Sequence, residues 1–126
     1  MSGQNLPIKI NVKTQYLQDR IDPQENKYAF AYRIDIRNLS DQKVKLLNRY
    51  WLITDGNGKK TEVQGEGVVG EQPLIKPGKS YQYTSGAILD TPVGSMQGHY
   101  ELEDAGGNLF KAPIDIFGLA VPNSLN

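Results

Sequence analysis

An antiparallel β-sandwich is the fold this sequence predicts, and three observations predict it. Apolar and polar residues alternate with a period of two along several stretches. Clusters of Gly, Pro, Asn and Asp separate those stretches at short intervals, and no segment carries the period of an amphipathic helix. About seven strands fit into the 126 residues, the length of one domain, so residues 1–126 are read as a single domain with short flexible termini. The architecture expected is immunoglobulin- or fibronectin type III-like, without the Cys…Trp…Cys spacing of antibody domains; a small barrel is the alternative.

In the first strand Ile8, Ile10, Val12, Thr14 and Tyr16 alternate with Lys9, Asn11, Lys13 and Gln15. A polar run from Arg20 to Asn26 follows, where Pro23 can start a turn. Tyr28, Phe30, Tyr32, Ile34 and Ile36 then share one face and Arg33, Asp35 and Arg37 the other, the signature of a core strand. The third strand begins at Val44 and Leu46, but its alternation slips at Leu46-Leu47, after which Arg49, Trp51 and Ile53 share a side. One slipped residue would flip every later side chain, so a β-bulge is expected near Leu47 or Asn48. Asp55-Gly56-Asn57-Gly58 is a hairpin turn with Lys60 to Gln64 returning as its partner strand.

After a Gly-rich loop, Lys76-Pro77-Gly78-Lys79 is a further turn. Tyr81 to Ala87 alternates as a strand, Leu89 to Gly94 is a loop, and Met96, Tyr100 and Leu102 mark the inner face of the next strand. Asp104 to Asn108 forms a hairpin turn into a last strand, Leu109 to Ile116, where Pro113 argues for an edge or a bulge. Gly118 to Asn126 is expected to be a surface tail.

Composition removes several function classes. With no cysteine and one histidine, thiol chemistry, zinc fingers and iron–sulfur ligation are excluded. Fourteen basic residues balance fourteen acidic ones without runs of either sign, so generic nucleic-acid binding is not favoured. No secretory leader or apolar run of about twenty residues is present, and the expected location is cytoplasmic, with no membrane insertion.

Four pieces resemble the bacterial ApaG family: Tyr28-x-Phe30-x-Tyr32-x-Ile34-x-Ile36-x-Asn38-Leu39; Trp51-Leu-Ile-Thr-Asp-Gly-x-Gly58; Gly65-x-Gly67-Val-Val-Gly-Glu-Gln-Pro73, continuing through Pro77-Gly78 to Tyr83-Thr-Ser-Gly86; and Asp90-Thr-Pro-x-Gly-x-Met-x-Gly98-x-Tyr100. The resemblance implies a fibronectin type III-like sandwich. It also implies kinship with the ApaG domain of certain eukaryotic F-box proteins and of a polymerase-interacting protein, where the domain is thought to engage protein partners. Bacterial members are linked to cobalt resistance and magnesium efflux, and their gene commonly neighbours one for a diadenosine-tetraphosphate hydrolase. Without a membrane span the effect on efflux would be indirect.

Two candidate sites emerge. The first is the loop Gly65, Glu66, Gly67, Val68, Val69, Gly70, Glu71, whose Gly-x-Gly-x-x-Gly spacing resembles a dinucleotide-binding turn. That turn works by opening a helix toward pyrophosphate; Val68-Val69, Pro73 and Pro77 exclude a helix here, and Glu66 and Glu71 would repel phosphate. What remains is an anion nest of backbone N–H groups with charge from Lys76 and Lys79, or a turn between sheets whose Val68, Val69, Leu74 and Ile75 pack or meet a partner.

The second is the strip His99, Glu101, Glu103, with Asp104 next, which shares a strand face and could hold a hard cation weakly; the plainer reading is a solvated polar face. No catalytic residues and no cofactor are identified: one histidine and no Gly-x-Ser-x-Gly elbow leave little acid–base machinery. Tyr50, Tyr81, Val68 and Val69 are the aromatic and apolar contact candidates, while Trp51 is read as core. The expected function is a non-catalytic module binding a protein partner through the Gly65–Pro73 loop and nearby strand ends, with a homodimer possible through exposed edges. The alternative is a sensor of a phosphate compound or divalent cation at that loop.

Overall fold

The computed structural model describes residues 5–18 and 25–122. These form two antiparallel sheets made of eight strands: β1 Ile8–Tyr16, β2 Tyr28–Asn38, β3 Val44–Asp55, β4 Lys60–Glu66, β5 Leu74–Ile75, β6 Ser80–Leu89, β7 Val93–Glu103 and β8 Leu109–Ala120. The smaller sheet has the order β1-β2-β6, the larger β4-β3-β7-β8, with β5 also paired to β3. The seven expected strands are all present. The eighth, β5, has only two residues, too few to show a period, and exists because Val44 and Lys45 pair with Ile75 and Leu74. Among the described residues there is no α-helix, and so none long and apolar enough to cross a membrane. The turn expected at Pro23 lies outside the described residues.

The inner faces close over one core. Phe30, Tyr32, Ile34 and Ile36 of β2 oppose Val44, Leu46 and Trp51 of β3 and Met96, Tyr100 and Leu102 of β7, all buried. Trp51 sits at the centre, edge-on to Tyr32 at 5.4 Å, Phe117 at 5.8 Å and Tyr100 at 6.3 Å between ring centroids; such pairs add to what burial alone contributes. The hydroxyls of Tyr83 on β6 and Tyr100 on β7 meet across the sheets in a short hydrogen bond. Burial pushes both phenols up, which favours their neutral forms.

The bulge lies where the alternation slips: β3 and β7 shift register between Leu46 and Asn48, leaving Leu47 out of the ladder. A second break, between Met96 and Gly98, places Asp115 and Ile116 of β8 against the single residue Gln97. β8 is an edge strand carrying Pro113, as expected, but it does not stop at Ile116. It continues to Ala120, and Leu119 is buried at 1 % exposure. The expected tail is therefore strand through Ala120; the bulge reverses the phase, so the polar-apolar pattern read from Leu109 changes face at Asp115 and Ile116 and does not end there.

Two hairpin turns and one turn between the sheets form as their residues dictate. Asp55 Oδ1 accepts from the backbone of Asn57 and Lys59, and Asp104 Oδ1 from Gly106 and Asn108, each at 2.9 Å. At Lys76–Lys79 the Lys79 N–H donates to the Lys76 carbonyl at 3.0 Å while Gly78 takes φ +75°, the geometry Pro-Gly favours. Asn38, the one buried polar residue among those described, ties this last turn to the end of β2. Its backbone N–H donates to Lys79 and its carbonyl accepts from Gly78.

Candidate functional site

The Gly65–Glu71 loop is a hairpin built onto the bulge. β4 and β5 run along the same edge of β3, and the loop leaves that edge where Leu47 drops out of the ladder. The Leu47 carbonyl accepts from the Gly67 N–H at 2.7 Å and from Gln72 Nε2 at 2.9 Å. Val68 and Glu71 exchange backbone hydrogen bonds of 2.8 and 2.9 Å, closing a two-residue turn in which Val69 (φ +42°) and Gly70 (φ +82°) are both left-handed, the I′ pattern of tight hairpins. Glu71 then reaches the other sheet, accepting from the Tyr81 hydroxyl at 3.0 Å.

Two of the three motif glycines have a steric reason, and Gly70, which has open space around it, is set by its positive φ. A Cβ on Gly65 would lie 2.7 Å from the Arg49 guanidinium, which crosses over it to donate to the carbonyls of Glu66 and Gly67, both at 3.1 Å. A Cβ on Gly67 would stand 2.2 Å from the Glu71 carbonyl. The spacing therefore belongs to a turn. The N–H groups of Gly67, Val68 and Glu71 already have protein acceptors, which leaves little of a nest for an anion. Lys76 and Lys79 belong to the separate turn anchored by Asn38.

The two valines divide. Val68 is fully buried and part of the core, whereas Val69 is exposed at 56 %. A β-branched residue at positive φ is a true conformational outlier, costing on the order of 1 kcal/mol or more. Replacing Val69 with Asn, which suits the left-handed position, is expected to stabilise the domain by about 1 kcal/mol. A thermal melt should rise by roughly 3–5 °C, and an unchanged or lower midpoint would show that the turn is unstrained.

The strip His99, Glu101, Glu103 lies, as expected, on the solvent side of β7, because Tyr100 and Leu102 between them are core. Register brings Tyr50 opposite His99 and Asn48 opposite Glu101. The Tyr50 and His99 rings stack at 5.1 Å with planes 22° apart. Asn48 Nδ2 donates to Glu101 Oε1 at 2.7 Å, and Lys111 on β8 is the opposite register partner of Glu101. Among the described residues no group of three or more His, Asp or Glu is placed to hold a metal ion.

Both candidate segments meet in one place. A groove of about 610 Å³ crosses β4, β3, β7 and β8, and Gly65 and Glu66 line it together with His99 and Glu101. Asn48, Arg49, Tyr50, Gln64 and Lys111 complete it, with Glu62 holding the Tyr50 hydroxyl at 3.1 Å. Glu103 and the Val68–Glu71 turn are not part of its lining. In the sequence Arg49 shares the phase of Trp51, which marks it as a core-side position and not as a site residue. Lys111 gave no signal, since only strand order puts β8 beside β7.

Partial burial and the Lys111 ammonium hold the His99 imidazole below its ordinary value, with Glu101 opposing them. Neutral His99 is thus favoured by folding, and the unfolded chain binds more protons. Stability from this group is complete above about pH 6.5 and is lost as pH falls below it. A proton titration of the imidazole should find its midpoint below 6.5, and Lys111→Ala should raise it; a midpoint unmoved by that change would remove Lys111 as a cause.

The residues from 18 to 104 match the family model described as DUF525, the ApaG domain. A curated Protein ApaG of Proteus mirabilis is 54 % identical over 119 residues, covering 94 % of this chain and 95 % of that one. One from Escherichia coli O1:K1 is 56 % identical over the same shares of each chain. A crystal structure of a Bordetella pertussis protein named ApaA superposes with a TM-score of 0.91 at 38 % identity, covering 97 % of this chain and 99 % of that one.

Proposed function

This chain belongs to the ApaG domain family, and on that premise we propose that it is a non-catalytic interaction module whose protein partner seats in the groove around Tyr50 and His99. The observation that carries the reading is convergence. Two segments that stand more than thirty positions apart line one groove, with a stacked aromatic pair at its floor and both signs of charge around it. Tyr is a frequent interface anchor, since it brings contact area at little rotamer cost. The fixed Asn48–Glu101 and Tyr50–Glu62 bonds hold the groove's shape before anything binds. The link to cobalt and magnesium implied by the family resemblance would then act through the partner.

A photoreactive residue at Gln64, inside the groove, tests this in living bacteria against one at Gln15 on the other sheet. A discrete protein adduct from Gln64 that weakens at least about tenfold with Tyr50→Ala is expected. No adduct, or the same adducts from both positions, would overturn the reading. The substitution Gly67→Asp is a poor probe, because the side chain collides with the Glu71 carbonyl and would disturb the fold itself.

The second reading, a sensor of a phosphate compound or a divalent cation, draws on the groove's ligand-sized volume and on Lys111 in its lining. Amide spectra recorded during separate titrations of magnesium, cobalt, pyrophosphate, ATP and diadenosine tetraphosphate separate the two. Saturable shifts at Gly65, Glu66 and His99 would favour the sensor, and spectra that stay still would leave the partner-protein reading.

A further inference from the structure

On the opposite side of the molecule, the outer face of the smaller sheet carries a cationic plate that the groove reading does not use. Register sets Lys9 directly opposite Arg37 and Lys13 directly opposite Arg33, and all four are exposed. Like charges facing each other across an antiparallel pair oppose the pairing by some tenths of a kcal/mol each. A sheet under no demand but solubility would alternate their signs. Among the described residues the ion pairs are those of Lys27 and Lys59 with Asp90, so none of the four plate cations is neutralised by a carboxylate.

The plate has a structured centre. Asn11 faces Asp35, and Gln82 faces Asp35 from β6. The Gln82 amide bridges its neighbours: Nε2 donates to Asp35 Oδ2 at 3.1 Å and Oε1 accepts from Arg33 Nη2 at 2.5 Å. The other carboxylate oxygen, Asp35 Oδ1, is buried without a hydrogen-bond partner. These residues, with Val12 and Lys13, line a depression of about 610 Å³.

We propose that this plate binds an acidic, extended segment of a partner protein, with one carboxylate at each cation pair and a neutral hydrogen-bond donor over Asp35. Strand rise puts the Lys9–Arg37 and Lys13–Arg33 pairs about 13 Å apart. Side chains four residues apart on an extended peptide match that separation, while the side chain midway between them falls over Asp35. The central carboxylate selects against a continuous polyanion, which would place charge against charge there, and accepts a peptide whose middle residue is neutral. The plate therefore reads a pattern, acidic-x-neutral-x-acidic, and not total charge.

The test uses the whole chain and three probes at about 20 mM salt, where surface charges are weakly screened: a seven-residue peptide with Glu at its second and sixth positions and Ser at its fourth, the same peptide with Glu at the fourth, and hexathymidylate. Saturable amide shifts at Lys9, Asn11, Lys13, Arg33 and Arg37 are expected with the first peptide, at least about fivefold tighter than with the other two probes. Lys9→Gln with Lys13→Gln should weaken the first peptide by a similar factor at an unchanged melting temperature. Asp35→Asn should improve the all-acidic peptide selectively. Absent shifts, shifts confined to the Tyr50 groove, tighter binding of the oligonucleotide, or an Asp35→Asn variant that leaves the preference intact would each overturn the proposal.

Discussion

Gly98→Ala is expected to cost more than about 3 kcal/mol, a large part of the stability of a domain this size. Gly98 pairs with Trp51 across the β3–β7 ladder, beside the register break at Met96. A methyl there would lie 1.9 Å from the Tyr50 carbonyl oxygen and 3.1 Å from the Trp51 Cα. Both are backbone atoms, so no rotamer change relieves the overlap. The strands would have to separate, breaking ladder hydrogen bonds above the central core residue. Urea unfolding followed by near-ultraviolet dichroism measures the loss. Gly118→Ala is the control, because its nearest outside atom is 4.0 Å away, and its midpoint should shift by less than about 0.5 kcal/mol equivalent. Comparable losses in both would mean that the effect comes from strand propensity and not from the close approach.

The second large effect is expected at Asn38. The side chain is fully buried, and its four polar bonds join three separate segments. Nδ2 donates to the carbonyls of Gln42 at 2.7 Å and Ile75 at 3.0 Å, and Oδ1 accepts from the Ser40 N–H at 2.9 Å and hydroxyl at 2.6 Å. Leucine in its place removes these bonds and strands buried groups without partners, at a cost of about 2–4 kcal/mol. Asn38→Asp gives a distinct signature. The oxygen facing Ser40 is kept, but a carboxylate now faces two carbonyls, so burial and those dipoles raise its folded pKa above the unfolded value. The folded state then binds more protons, and the destabilisation should deepen as pH rises through the folded pKa. A denaturation series from acidic to neutral pH checks this; a loss that does not vary with pH would show that the aspartate escapes to solvent.

Where the residues themselves alternate, the fold was legible. The apolar faces of β1 and β2, the slip at Leu46-Leu47 and the Asp-Gly turn at Asp55 all report local backbone geometry, which sequence neighbours determine. β5 and the end of β8 were not legible, the first because two residues have no period and the second because the bulge at Asp115 and Ile116 inverts it. The loop glycines could be read as turn formers, but the clasp of Arg49 over Gly65 could not, since it depends on a partner sixteen residues away. The same limit hid the groove. Tyr50, Glu66, His99 and Lys111 come together through the order β4-β3-β7-β8, and strand order is a property of non-local pairing that no period encodes.

Trp51 gives the molecule a built-in optical gauge. It is the chain's one tryptophan, it is 2 % exposed, and its Nε1 has no hydrogen-bond partner. An indole so shielded from water emits at the blue end of its range, and Tyr32 and Tyr100 beside it can pass it their excitation. Emission colour therefore reports whether the core is closed, while the half-buried Tyr50 ring on the preceding residue belongs to the outer face and leaves that colour untouched. A binding event on either face that leaves the colour unchanged has left the core alone, and one that reddens it has opened the sandwich.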